Sequence, residues 1–137
     1  MRSDTFEKGL KVRKEVLGSD FVEDSFANAS EFSKPLQELV TEFCFGAVWD
    51  REGLSRRDRS LINIALLAAS GRAHALHHHV QAAIGNGASE EEIRETLVHV
   101  IPYAGFPAAF DAFSVAENAL QERDDSEAPA AESSKPD

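Results

Sequence analysis

The chain is short of cysteine, of positive charge and of long apolar runs, and each shortage removes a class of function. Of 137 residues one is cysteine, Cys44. It has no partner for an internal disulfide, which fits a reducing, cytoplasmic address. Lys and Arg number 14 against 24 Asp and Glu, a formal net charge of −10. A nucleic-acid binder needs a basic face to displace phosphate counterions, and an anionic membrane repels a chain of this charge, so neither is an expected partner. No apolar run approaches the roughly 18–20 residues that span a bilayer. The N-terminal MRSDTFEKGLKVRKEVLG alternates charged and apolar residues and so lacks the apolar centre of a signal peptide. Period-two alternation is also missing, which argues against strands.

What is present reads as helix. Hydrophobic residues make up 42 % of the chain, enough for one core at a length typical of one domain. Helical spacing predicts helices over 5–17, with Gly18 as the stop, and over about 22–32. A third begins at Pro35 and carries Leu36, Leu39, Val40, Phe43 and Ala47 on one face, until Asp50–Gly53 breaks it. Ser55, with Asp58 three residues on, starts a fourth that is apolar nearly all round through Ala69, the pattern of a buried central helix. A fifth covers 73–86 and closes at Gly87; Ser89 with Glu92 is a capping box for a sixth over 90–101. Pro102 interrupts, and Pro107 opens a seventh that runs to about 121. The expected fold is all-α: a single-domain bundle of six to seven helices over 1–121, followed by an acidic, disordered tail over 122–137. That tail holds Glu122, Asp124, Asp125, Glu127, Glu132 and Asp137 against Arg123 and Lys135, a net of −4 that leaves −6 on the body. Seven short helices leave much apolar surface, which points to a homo-oligomer.

Chemistry-bearing groups are few. Four of the five histidines, His74, His77, His78 and His79, fall within six positions. Consecutive helical residues point about 100° apart, so no more than two of these rings share a face. A metal would need a distant carboxylate such as Glu42 to complete it, and no metal is expected. A single histidine on the buried side is instead a proton donor near neutral pH, or a satisfied core residue. Glu42, amid Phe43-Cys44-Phe45, is either an acid–base group or an exposed helix-face glutamate. Cys44 is read as a small buried hydrophobe. Arg56, Arg57 and Arg59 crowd a helix N-terminus against its dipole. A bound anion or a salt-bridge cluster has to compensate them. Trp49 and Tyr103 are pocket walls or core.

The order of these groups resembles that of a known family. Thr41-Glu42-Phe43-Cys44-Phe45-Gly46-Ala47-Val48-Trp49 is followed by Leu54-Ser55-Arg56-Arg57-Asp58-Arg59-Ser60-Leu61-Ile62-Asn63, then Gly71-Arg72, His79, Asn86-Gly87, Glu91-Glu92-Ile93-Arg94-Glu95 and Tyr103-Ala104-Gly105-Phe106-Pro107-Ala108-Ala109. Across roughly 15–120 the chain resembles the carboxymuconolactone decarboxylase family. The resemblance implies the alkylhydroperoxidase-D-like fold. Peroxidase-branch members carry CxxC seven and four residues before the family histidine; those positions here are Arg72 and Ala75, so dithiol peroxide reduction is not implied. Decarboxylase members carry a carboxylate at the Ala75 position and a basic or apolar pair at His77-His78, and these two departures leave the exact substrate open.

The implied activity is decarboxylation of γ-carboxymuconolactone to β-ketoadipate enol-lactone, a step of the protocatechuate branch of the β-ketoadipate pathway, without a cofactor. The resemblance assigns His79, Glu42 and Arg72 to catalysis, and Arg56, Arg59, Trp49, His77 and Tyr103 to binding a small dicarboxylate lactone. His74 and His78 are read as surface. A trimer or hexamer is the implied assembly. The alternatives are a relative acting on another unsaturated or β-keto acid, or an oligomer that binds carboxylates without turnover.

Overall fold

Serines and glycines mark where the helices begin and end. In a computed structural model of the chain, residues 2–127 are described, and all the regular structure among them is helical. Helix α1 (Asp4–Leu17) starts where the Ser3 hydroxyl accepts from the Phe6 amide at 3.1 Å. It ends at Gly18, whose φ of 99° is a conformation only glycine enters without strain. The chain restarts at once as α2 (Ser19–Ala27), earlier than the expected 22–32. Ser30 and Ser33 explain the early end: each caps the other's amide, at 3.0 and 3.2 Å, and so takes those groups away from a helix.

Helix α3 (Lys34–Leu39) has Pro35 in its first turn, as expected. From Val40 to Val48 it continues as a π-helix, and at its end the Trp49 amide bonds to the Cys44 carbonyl at 2.9 Å, five residues back. The wider turn carries the buried side to Thr41, Phe45 and Gly46. The face expected to be internal faces outward instead: Leu36, Leu39 and Phe43 are each more than 60 % exposed.

Four helices follow: α4 (Arg56–Ala69), α5 (Ala73–Gly85), α6 (Glu90–Ala104) and α7 (Phe106–Glu127). Ser55 caps α4, accepting from the Asp58 amide at 3.0 Å, and Ser89 with Glu92 forms the expected reciprocal box on α6. Pro102 does not end α6. It lies in the last turns, where its missing N–H costs one bond, and Gly105 (φ 94°) makes the break. Helix α7 runs on to Glu127, past the expected end near 121. Of the tail expected to be disordered, residues 128–137 lie outside the described part.

Two cores result. Ile64 and Ala68 of α4, Leu76 and Val80 of α5, and Ile93, Leu97 and Val100 of α6 pack against Ala112, Ala116 and Ala119 of α7. The alanine stripe lets α7 approach closely. Val12 and Val16 of α1 pack with Phe45 and Trp49 in a second, smaller core. Helix α4 is half-buried rather than central: Ser60, Ile64 and Ala68 point in, while Ile62 and Leu66 are exposed. None of the described helices is long and apolar enough to cross a membrane.

Candidate active site

Arg56, Arg59 and Asn63 stand at i, i+3 and i+7 of α4, one stripe of that helix. Asn63 meets the imidazole of His79 on α5: its amide nitrogen lies 3.4 Å from Nδ1. The ring is substantially buried. Burial, then the neighbouring His78, push the His79 pKa down to about 4. His79 is therefore a neutral imidazole across the physiological range.

The three arginines at the start of α4 meet different fates. Arg56 pairs with Glu15 of α1 at 3.1 Å. Arg57 pairs with Asp58 at 2.6 Å and with Glu92 of the α6 capping box. Arg59 has no carboxylate partner among the described residues. It donates to the Arg51 carbonyl at 3.3 Å, and its buried Nε is unpaired. The anion that three cations at a helix N-terminus call for is thus supplied twice from within the chain, and is lacking at the arginine one turn from Asn63.

Among the described residues no hydrogen bond or ion pair joins the other expected site residues to this cluster. Glu42 accepts from the Ser3 hydroxyl at 2.7 Å, so it ties the π-helix to the N-cap of α1. Trp49 is 7 % exposed and stacks on Phe45 at 5.7 Å in the smaller core. Arg72 is exposed at the start of α5, on the rim of a 280 Å³ cavity with Leu67, Asp111 and Ser114. It lies two turns, about 10 Å, along α5 from His79. His77 pairs with Glu122 of α7 at 3.0 Å. Tyr103 is 82 % exposed beside His99, in a 580 Å³ apolar groove with Leu66 and Val100. The cavities holding Arg72, His77 and Tyr103 are three separate ones, and none of them includes His79.

His78 is not the surface residue expected. Its ring packs 4.6 Å from Phe21, and burial, then His74 and His77, lower its pKa while Glu122 raises it. Among the described residues no cluster of three or more His, Cys, Asp or Glu is arranged to hold a metal ion. Two residues escaped sequence reasoning. Asn63 is the only polar side chain between Ser60 and Ser70, which is the one signal the sequence offered. Arg13 is 5 % exposed and donates to Thr41 Oγ1 at 3.1 Å and Gln37 Oε1 at 2.9 Å. Its place on a charged helix gave no sign of that burial.

Comparison with known proteins adds three relatives and a family. Residues 34–118 match the carboxymuconolactone decarboxylase family. A nitrosuccinic acid decarboxylase of Metarhizium robertsii is 42 % identical over 117 residues, 85 % of this chain and 82 % of that protein. A 4-carboxymuconolactone decarboxylase of Acinetobacter baylyi is 39 % identical over 117 residues, 85 % of this chain and 87 % of its own length. An uncharacterised 15.0 kDa protein of Paracoccus denitrificans is 31 % identical over 88 residues, 63 % of this chain and 66 % of that one.

Proposed function

The chain belongs to the carboxymuconolactone decarboxylase family, and from that premise we propose that it is a carboxy-lyase acting on γ-carboxymuconolactone to give β-ketoadipate enol-lactone. The observations that support the reading are an arginine with no carboxylate partner among the described residues, Arg59, and, one turn along α4, Asn63 against a neutral imidazole, His79.

The substrate supplies its own electron sink. When the bond to the departing carboxylate breaks, its electron pair moves through the ring double bond onto the lactone carbonyl oxygen. No cofactor is needed for that step. Arg59 grips a substrate carboxylate, with Arg72 at the exposed end of α5 and Arg56 as further cations. His79 is too weakly basic to store a proton before substrate binds. It serves first as a hydrogen-bond donor to the oxygen that gains charge. The dienolate carbon then takes its proton from solvent water, leaving hydroxide, while the imidazole stays neutral. Glu42, held by Ser3, is the second candidate for that proton. His77 and Tyr103 complete the proposed substrate contacts once subunits assemble; Trp49, packed in the smaller core, does not reach substrate.

Assembly is part of the reading. Phe32, Leu39, Phe43, Leu66 and Phe110 are all more than 60 % exposed, and burying such side chains between copies of the chain is what an oligomer offers. We place the protein in the cytoplasm as a homo-oligomer, a trimer or hexamer.

The second reading takes the nitrosuccinic acid decarboxylase as its guide. A nitro group accepts the same electron pair as a nitronate, so one anion grip and one donor serve both substrates. Purified protein incubated with γ-carboxymuconolactone and, separately, with nitrosuccinic acid is followed by CO₂ release. Turnover of the lactone is expected, with kcat/KM reduced about 10²–10³-fold in His79→Ala and in Arg59→Ala. Turnover of the nitro acid alone selects the second reading. Carboxylate binding with no CO₂ from either substrate makes the chain a binding protein.

A further inference from the structure

Asn63 has no part in the chemistry above, yet it is the residue that touches His79. It stands in Leu61-Ile62-Asn63-Ile64-Ala65-Leu66-Leu67, where every neighbour is apolar. It is partly buried, and its amide nitrogen lies 3.4 Å from His79 Nδ1. Its Nδ2 carries only donors, so the imidazole nitrogen it faces has to accept. That nitrogen is Nδ1. A neutral ring whose Nδ1 accepts keeps its single proton on Nε2.

We propose that Asn63 is a positioning residue that holds His79 in the Nε2–H tautomer, so that the ring offers substrate a donor and not a lone pair. The proposal deepens the decarboxylase reading and rests on it for its catalytic consequence. Its structural content stands alone. Were the proton on Nδ1, Nε2 would be a bare acceptor facing an oxygen that is gaining negative charge, and the two would repel. A neighbour that fixes which ring nitrogen carries the proton thus decides whether a neutral histidine helps or hinders carbanion formation.

The test uses the full-length protein labelled with ¹⁵N. The His79 ring signals are assigned by their loss in His79→Gln, and long-range proton–nitrogen spectra at pH 7.5 read which nitrogen is protonated. Expected is a protonated Nε2 and a bare Nδ1; a protonated Nδ1 in the wild-type protein overturns the proposal. In Asn63→Asp an acceptor faces Nδ1, and that nitrogen is expected to acquire a proton; an unaltered spectrum counts against Asn63 as the controlling group. Asn63→Leu suits the apolar run and removes the donor. With γ-carboxymuconolactone its kcat is expected to fall about 2–10-fold, the worth of one hydrogen bond, at unchanged KM and melting temperature. A fall in melting temperature with kcat unchanged would make Asn63 merely structural. Should the wild-type protein release no CO₂ from the lactone, the decarboxylase reading fails while the two spectral arms still decide what Asn63 does to His79.

Discussion

Two regions of this chain hold helices together by different means. Across the α4–α7 bundle, contact is made by side chains: leucine, isoleucine and valine from three helices meet alanines from α7. Between α1 and the π-helix, a small side-chain core is joined by close backbone contact. A Cβ on Gly9 would overlap the Thr41 carbonyl oxygen, and one on Gly46 the Thr5 carbonyl oxygen. Arg13 then reaches over Thr41 and Gln37 with its guanidinium buried and no carboxylate beside it. Burial lowers its pKa, opposed by nearby Cys44. The first region tolerates small changes of side chain because volume can be shared among many. The second has no slack, because two backbones occupy the space.

The largest effect expected is in the bundle. Leu97 is 1 % exposed at its centre, and Leu97→Ala should cost about 3–4 kcal/mol in urea unfolding. A loss under about 1 kcal/mol would mean that the bundle collapses around the gap. Next is Gly9→Ala. Elsewhere in a helix this change stabilises by up to about 1 kcal/mol; here the Thr41 carbonyl should make it cost about 2–3 kcal/mol. A stabilised Gly9→Ala would break the contrast between the regions. Third is the acid response of His79. Its folded pKa of about 4 lies below the unfolded value near 6.5, so the unfolded chain binds the extra proton first. Stability from this group is complete above about pH 6.5 and lost as pH falls toward 4, by of order 2 kcal/mol. Thermal melts of the wild type and His79→Gln from pH 7 to 4 should differ in slope. The smallest effect is at Phe32, 96 % exposed: Phe32→Ser should move stability by under about 0.5 kcal/mol. Sedimentation should nevertheless show a smaller assembly if that face joins subunits.

Legibility in the sequence follows the same division. The bundle was readable because its determinants are local: Ser55, Ser89 with Glu92 and the 3.6-residue period state where α4 to α6 begin and which sides turn in. The reach of α4's apolar side was overread, since Ile62 and Leu66 are left exposed, and the ends of α6 and α7 were set too early. The N-terminal region was misread at its centre. A regular period through Leu36, Leu39 and Phe43 cannot announce that a π-turn and a buried arginine will draw Thr41 and Phe45 inward. At the candidate site, His79 and Arg59 were named from the sequence. Asn63, which meets His79, was quoted in the motif and given no role. Glu42, expected as an acid–base group, is tied to Ser3 at 2.7 Å.

By itself the sequence determined the all-α class, the family and most helix ends, because caps, glycines and side-chain period act over a few residues. Tertiary structure alone decided which of the three arginines at the start of α4 lacks a carboxylate and how far the His79 pKa falls. Glu15 and Glu92 come to Arg56 and Arg57 from other helices, and no carboxylate among the described residues comes to Arg59. His79 owes its low pKa to burial between helices, a property of the space around the ring that no spacing along the chain records.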